Sequence, residues 1–213
     1  MQIRLIIFDF DGTLADSEEI NNKAISEVLL SLGHKDYTLG YCMEYFVGCS
    51  VHDLIKTLKS LNEKNVEHIL DLMKNKAIKL AKRYLKTTPG AIKALSKISL
   101  PMSIASNGER DTVLTYSNLL GITKYIDEKY IYTREMVINP KPSPDIYALA
   151  AKKTGDFLPE NCLAIEDSVI GVSAAKKAGM NVLGFSKQRN NLPLKNAGAF
   201  SCISDLKEIF NFL

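Results

Sequence analysis

Phe8-Asp9-Phe10-Asp11-Gly12-Thr13-Leu14-Ala15-Asp16-Ser17 closes the first apolar run of the chain, Ile3 to Phe8. A strand that delivers one carboxylate, skips a residue, delivers a second and turns at Gly12 places chemistry at its end. Residues two apart on an extended chain point to the same side. Two like charges so placed repel unless a cation or a shared proton relieves them. No Lys or Arg stands within the stretch, so a bound Mg²⁺ and an anionic substrate are implied. The bland alternative is an ordinary Asp-Gly turn.

Working outward, Met102–Ser106, Cys162–Ile165 and Val182–Phe185 are further short apolar runs, with Tyr130–Thr133 as another candidate. Helical patterns separate most of them, which predicts an α/β fold, a doubly wound Rossmann-like parallel sheet. Pro144 and Gly155 bracket one helix, while Gly121 and Gly179 end two others as glycine caps. Residues 16–86 differ, because no strand-like run of similar quality occurs there. Ile20, Ala24, Ile25, Val28 and Leu32 share one helical face, and Asp16 with Glu19 resembles a capping box before it. Val66, Ile69, Leu70, Met73, Ala77, Leu80, Ala81 and Tyr84 make a second stripe. The expected organisation is an α/β core of residues 1–15 and 87–213 with an α-helical cap domain, residues 16–86, inserted after the first strand.

The 213 residues suffice for such a core and insert. A net charge of +3, dispersed along the chain, argues against nucleic acid as a partner. No run approaches the roughly 18 apolar residues that argue for a membrane span. Cys42, Cys49, Cys162 and Cys202 show no metal-binding spacing. With no secretory leader, they are expected to be reduced thiols of a cytoplasmic protein. Oligomeric state is open in the sequence, with a monomer as the default expectation.

Four features fall at the ends of later strands or in the loops beyond, where open α/β sheets bind ligands. Ser106-Asn107-Gly108 offers a hydroxyl and an amide. Lys141 stands between Pro140 and Pro142, which stiffen its backbone. Glu166-Asp167 is a second acidic pair, and Ser168 reads as the cap of a following helix. These groups suit phosphoryl transfer. Hard carboxylate oxygens hold Mg²⁺, Lys141 spreads the phosphoryl charge, and a carboxylate attacks phosphorus. The residue-level alternatives are Ser106 as a helix cap, Lys141 as a solvated side chain, and Glu166 as a hydrogen-bonding support.

Asp9–Ser17, Ser106–Gly108, Lys141–Asp145 and Glu166–Met180 (EDSVIGVSAAKKAGM) resemble, in order, the four motifs of the haloacid dehalogenase superfamily. The last is similar to the version found in its helical-cap branch of phosphatases and β-phosphoglucomutases. The resemblance implies Asp9 as nucleophile, Asp11 as general acid and base, and Ser106 and Lys141 as phosphoryl holders. It implies a Mg²⁺ site from Asp9, the Asp11 backbone carbonyl and Asp167, with Glu166 at the metal directly, through water or in support. Asn107 is a further candidate for substrate contact. Gly48, Ser50 and His52 fall where related caps carry specificity loops, the alternative being a helix start capped by Ser50.

The expected activity is that of a phosphatase for a small phosphorylated metabolite, a sugar phosphate or related phosphomonoester. A sugar phosphomutase is the alternative. It is disfavoured because the related mutases carry a cap histidine where Asn21 stands and an arginine near Gly48–Val51. Dehalogenation leaves Asp11 and Glu166-Asp167 unexplained. The basic run Lys74, Lys76, Lys79, Lys82, Arg83 and Lys86 reads as a solvated helix face.

Overall fold

A computed structural model describes residues 2–49, 51–187 and 191–213. The chain forms two compact units, one of Met1–Asp16 with Lys86–Leu213 and one of Ser17–Leu85.

The first unit is a six-stranded sheet of β1 (Leu5–Phe8), β2 (Met102–Ser106), β3 (Ile131–Thr133), β4 (Cys162–Glu166), β5 (Asn181–Phe185) and β6 (Ser201–Ile203). The order is β3-β2-β1-β4-β5-β6, and every pairing is parallel. The expected α/β fold is therefore present. All four residues of β1 are buried, as a central strand covered on both faces requires. Ile7, Ala105, Ala164 and Val182 pack with Ile146, Tyr147, Ala150 and Ala151 of α7 (Asp145–Gly155) and with Val172, Ala174 and Ala175 of α8 (Val169–Lys177). Strand order reverses between β1 and β4, and such a switch point leaves a crevice at the carboxyl ends. Asp9 follows β1 there, its N–H donating to the carbonyl of Ile165 at 2.9 Å.

The second unit contains α1 (Glu18–Ser31), α2 (Leu39–Tyr45), α3 (Val51–Ser60) and α4 (Val66–Tyr84). Its core joins Ile25, Val28, Leu29, Cys42, Leu58, Ile69 and Met73. The helical stripes described above are those of α1 and α4. Between them, α2 buries only Cys42, too little for a stripe, whereas Val51, Leu54, Ile55 and Leu58 of α3 recur at helical spacing and Leu58 is buried. Ser50 lies outside the described residues. Among these residues, no helix is long and apolar enough to cross a membrane.

Several local expectations are corrected. Leu32 follows the end of α1 and is 40% exposed, while Leu29 takes the buried place on that face. The capping box of Asp16 and Glu19 is not formed. The helix starts at Glu18 after Ser17, whose side chain makes no capping bond, and the Asp16 carboxylate instead accepts from Lys187 Nζ at 2.5 Å. Gly155 is the last residue of α7, and the left-handed residue beyond it is Asp156 at φ 53°. Gly121 and Gly179 do take the left-handed conformation expected of glycine caps. β6, a three-residue edge strand in which only Ile203 is buried, carries little apolar signal in the sequence.

Burial distinguishes the two leucines of α1 and its end. Leu29→Ala should cost about 2–5 kcal/mol in urea denaturation, the range for emptying a core site. Leu32→Ala should change stability by less than about 0.5 kcal/mol. Equal costs would contradict this rotation of α1.

Candidate active site

Beyond Asp9 the chain turns sharply, with Leu14 and Ala15 N–H groups both donating to the Phe10 carbonyl at 2.9 Å. Gly12 sits in this turn at φ 80°, and a Cβ there would lie 2.0 Å from Asp167 Oδ2. Only glycine permits both the backbone and the approach of that carboxylate. Thr13 Oγ1 donates to Asp167 Oδ1 at 3.0 Å, and Thr88 Oγ1 donates to the Thr13 carbonyl at 2.5 Å. The turn after β1 and the loop after β4 are thus built against each other.

Lys141 comes from the loop before α7, and its side chain is almost wholly buried. Its ammonium donates to Asp9 Oδ1 at 2.5 Å and to Glu166 Oε1 at 2.6 Å. The backbone of Lys141 is held as firmly. Its N–H donates to Asn107 Oδ1 at 3.0 Å, and Asn107 Nδ2 donates back to its carbonyl at 3.1 Å. Glu166 is fully buried with both oxygens engaged. Oε1 also accepts from the Tyr147 hydroxyl at 2.6 Å, and Oε2 accepts from Ser168 Oγ at 3.0 Å and Ser168 N–H at 3.3 Å. Ser168 Oγ accepts from Gly171 N–H at 3.0 Å, which makes it the cap of α8 as expected. A Cβ on Gly171 would fall 1.8 Å from Glu166 Oε1, so glycine makes room for the carboxylate.

One oxygen each from Asp9, Glu166 and Asp167 lies within 4.8 Å of the others. Burial pushes the Asp9 carboxyl up and Lys141 pulls it down. The charges of Glu166 and Asp167 push it up again, leaving it well above the usual carboxylate range. Burial works against the Lys141 ammonium, but Asp9 and Glu166 outweigh this and hold it above its ordinary value. The lysine therefore stays charged, and three carboxylates face one ammonium. A divalent cation would relieve the excess negative charge, and an all-carboxylate set suits a hard ion such as Mg²⁺.

Asp11 stands apart from that cluster. Over Gly108, a Cβ would lie 3.2 Å from Asp11 Oδ2 and 3.1 Å from Ser106 Oγ, so the carboxylate and the hydroxyl border one space. The Asp11 charge adds to burial in pushing the Tyr116 phenol up. Ser106 ends β2, is nearly fully buried, and accepts from Gly108 N–H at 2.8 Å. It does not cap a helix, because α6 (Arg110–Leu119) begins later with Glu109 at its cap position.

The structure thus brings Asp9, Lys141, Glu166 and Asp167 together and sets Asp11 beside Ser106. The carboxylate of Asp11 is not among the three that meet there. Both ends of the Asn107 amide face the Lys141 backbone and hold it in place. Gly48, at φ 73°, and His52, in α3, are exposed in the helical unit. Thr13, Tyr147 and Gly171 were missed. For Tyr147 a signal existed: it lies on the buried face of α7, where a phenol hydroxyl needs a partner.

The family model described as haloacid dehalogenase-like hydrolase matches residues 6–185. The chain is 28% identical to the 6-phosphogluconate phosphatase of Escherichia coli (strain K12), covering 98% of this chain and 95% of the relative. It is 27% identical to the fructose-1-phosphate phosphatase YqaB of the same organism, covering 84% and 94%. A HAD family hydrolase from Deinococcus radiodurans R1, solved with bound phosphate and sodium, superposes with a TM-score of 0.76 at 26% identity, covering 97% of this chain and 93% of that one. The motifs, the sheet order and the family match together place the chain in the haloacid dehalogenase-like hydrolase family.

Proposed function

We propose that this chain is a Mg²⁺-dependent phosphatase acting on a small phosphorylated metabolite, a sugar phosphate or related phosphomonoester. The observation that carries the reading is the meeting of the Asp9, Glu166 and Asp167 carboxylates with the Lys141 ammonium at the carboxyl ends of β1 and β4. The substrate class draws support from relatives named for 6-phosphogluconate and fructose 1-phosphate.

Asp9 and Asp167, with the Asp11 carbonyl, are the proposed holders of Mg²⁺, and Glu166 supports the site through Lys141. When bound, the ion would offset charge on the phosphoryl oxygens and the crowded carboxylates. Asp9 attacks phosphorus, forming an aspartyl-phosphate as the bond to the substrate oxygen breaks. Asp11, outside the cluster, gives its proton to the departing alkoxide. It then takes a proton from the water that attacks the aspartyl-phosphate, releasing inorganic phosphate and restoring Asp9. Ser106 is the proposed holder of a phosphoryl oxygen, and Lys141, whose ammonium rests on the attacking carboxylate, supplies positive charge beside the phosphoryl group. Substrate selection is assigned to the helical unit, through Gly48, Ser50 and His52.

Release of inorganic phosphate from p-nitrophenyl phosphate and from a panel of sugar phosphates tests this directly. Turnover should require Mg²⁺ and disappear with EDTA. Asp9→Asn should lower kcat by about 10³-fold or more. Activity that survives either change would remove the mechanism, and isomer interconversion in the presence of a bisphosphate would indicate a mutase instead.

Gly171→Ala supplies an independent check on the role of Glu166. Its methyl group would displace the carboxylate that holds Lys141. A fall in kcat of about 10–100-fold is expected, the range for groups that orient a catalytic side chain. Unchanged kcat would separate Glu166 from catalysis.

A further inference from the structure

We propose that Tyr147 is a positioning residue for Lys141, acting through Glu166 and resting on the phosphatase reading above. The phenol is fully buried on α7, and its hydroxyl donates to Glu166 Oε1 at 2.6 Å. That oxygen also takes the Lys141 ammonium at 2.6 Å. The ammonium in turn reaches the phenol oxygen at 3.3 Å, closing a triangle of lysine, glutamate and tyrosine. Its nitrogen also lies 4.9 Å from the centre of the Tyr147 ring.

The donor and acceptor balance shows what the hydroxyl contributes. An ammonium has three N–H donors, and here they meet Asp9 Oδ1, Glu166 Oε1 and the Tyr147 hydroxyl oxygen. Glu166 accepts four donors, two on each oxygen: Lys141 and Tyr147 on Oε1, the Ser168 N–H and hydroxyl on Oε2. A carboxylate held on both oxygens cannot rotate, and the long, flexible lysine side chain therefore has one direction to point. Without the phenol oxygen, one N–H of a buried ammonium loses its partner and Glu166 loses the donor that fixes Oε1. Packing alone does not call for the hydroxyl, since a phenylalanine ring would fill the same space. A buried hydroxyl is unfavourable unless paired. Burial, with the Glu166 and Asp9 charges, pushes the phenol well above its ordinary value.

Tyr147→Phe keeps the ring and removes only the oxygen. With saturating Mg²⁺ and p-nitrophenyl phosphate, kcat should fall about 10-fold or more, with KM changed by less than about 2-fold. In a Glu166→Gln background the same substitution should cost less than about 2-fold, because its partner is already altered. An unchanged kcat, or an equal loss in both backgrounds, would overturn the assignment. A second readout does not depend on turnover. In ¹⁵N-labelled protein the held ammonium of Lys141 should give a slowly exchanging resonance, identified by its loss in Lys141→Arg. Tyr147→Phe should abolish that resonance, and its persistence would refute the proposal. A wild-type protein without phosphatase activity would sink the phosphatase reading, while the ammonium resonance would still decide the part played by Tyr147.

Discussion

The buried contact of the Lys141 ammonium with Asp9 and Glu166 is the interaction on which the rest of the core unit depends. It joins the end of β1, the end of β4 and the loop before α7, three stretches far apart in sequence. An ion pair removed from water gains little by itself, because desolvation offsets the attraction. Removing one partner leaves the other buried and uncompensated, at a general cost of about 3–5 kcal/mol. The surroundings make the arrangement tolerable. Asn107 secures the lysine backbone, and Tyr147 and Ser168 fill the remaining acceptor positions of Glu166.

Charge is not balanced by that contact alone. Asp167 brings a further carboxylate, held by Thr13 and pressed against Gly12. Burial raises the Asp9 carboxyl at the strand switch point, and the Glu166 and Asp167 charges raise it further against the pull of Lys141. Such a cluster of carboxylates could bind a metal ion. The two aspartates of the first motif meet different fates. Asp9 enters this crowded centre, while Asp11 turns toward Ser106 and Gly108. The proposed mechanism asks for separate surroundings of these two otherwise identical side chains, one to attack and one to carry a proton.

Glycines mark where backbone and carboxylate must approach closely. Gly12 admits Asp167 and Gly171 admits Glu166, each at a distance that excludes any Cβ. Both stand in motifs that the sequence displays, but their purpose is not visible there. A glycine in a helix ordinarily reads as a local weakness. At Gly171 it is the condition for Glu166 to lie against the first turn of α8.

The sequence alone determined the parallel sheet and most of its strands, because buried strands are short apolar runs between helical patterns. It also marked Asp9, Lys141, Glu166 and Asp167, since charged residues at the ends of such runs stand out against an apolar background. It did not reveal β6 or α2, whose few buried side chains leave no periodic trace, whereas α3 is legible in Val51, Leu54, Ile55 and Leu58 at helical spacing. Nor could it rotate the end of α1, where Leu29 and Leu32 compete for one face. Tertiary structure decided which carboxylate meets the lysine, that Asn107 faces a backbone, and that Tyr147 joins the ion pair. Those outcomes depend on distances between segments that only the closed sheet brings together, and hydrogen bonding at 3 Å is not encoded in the local pattern of any one of them.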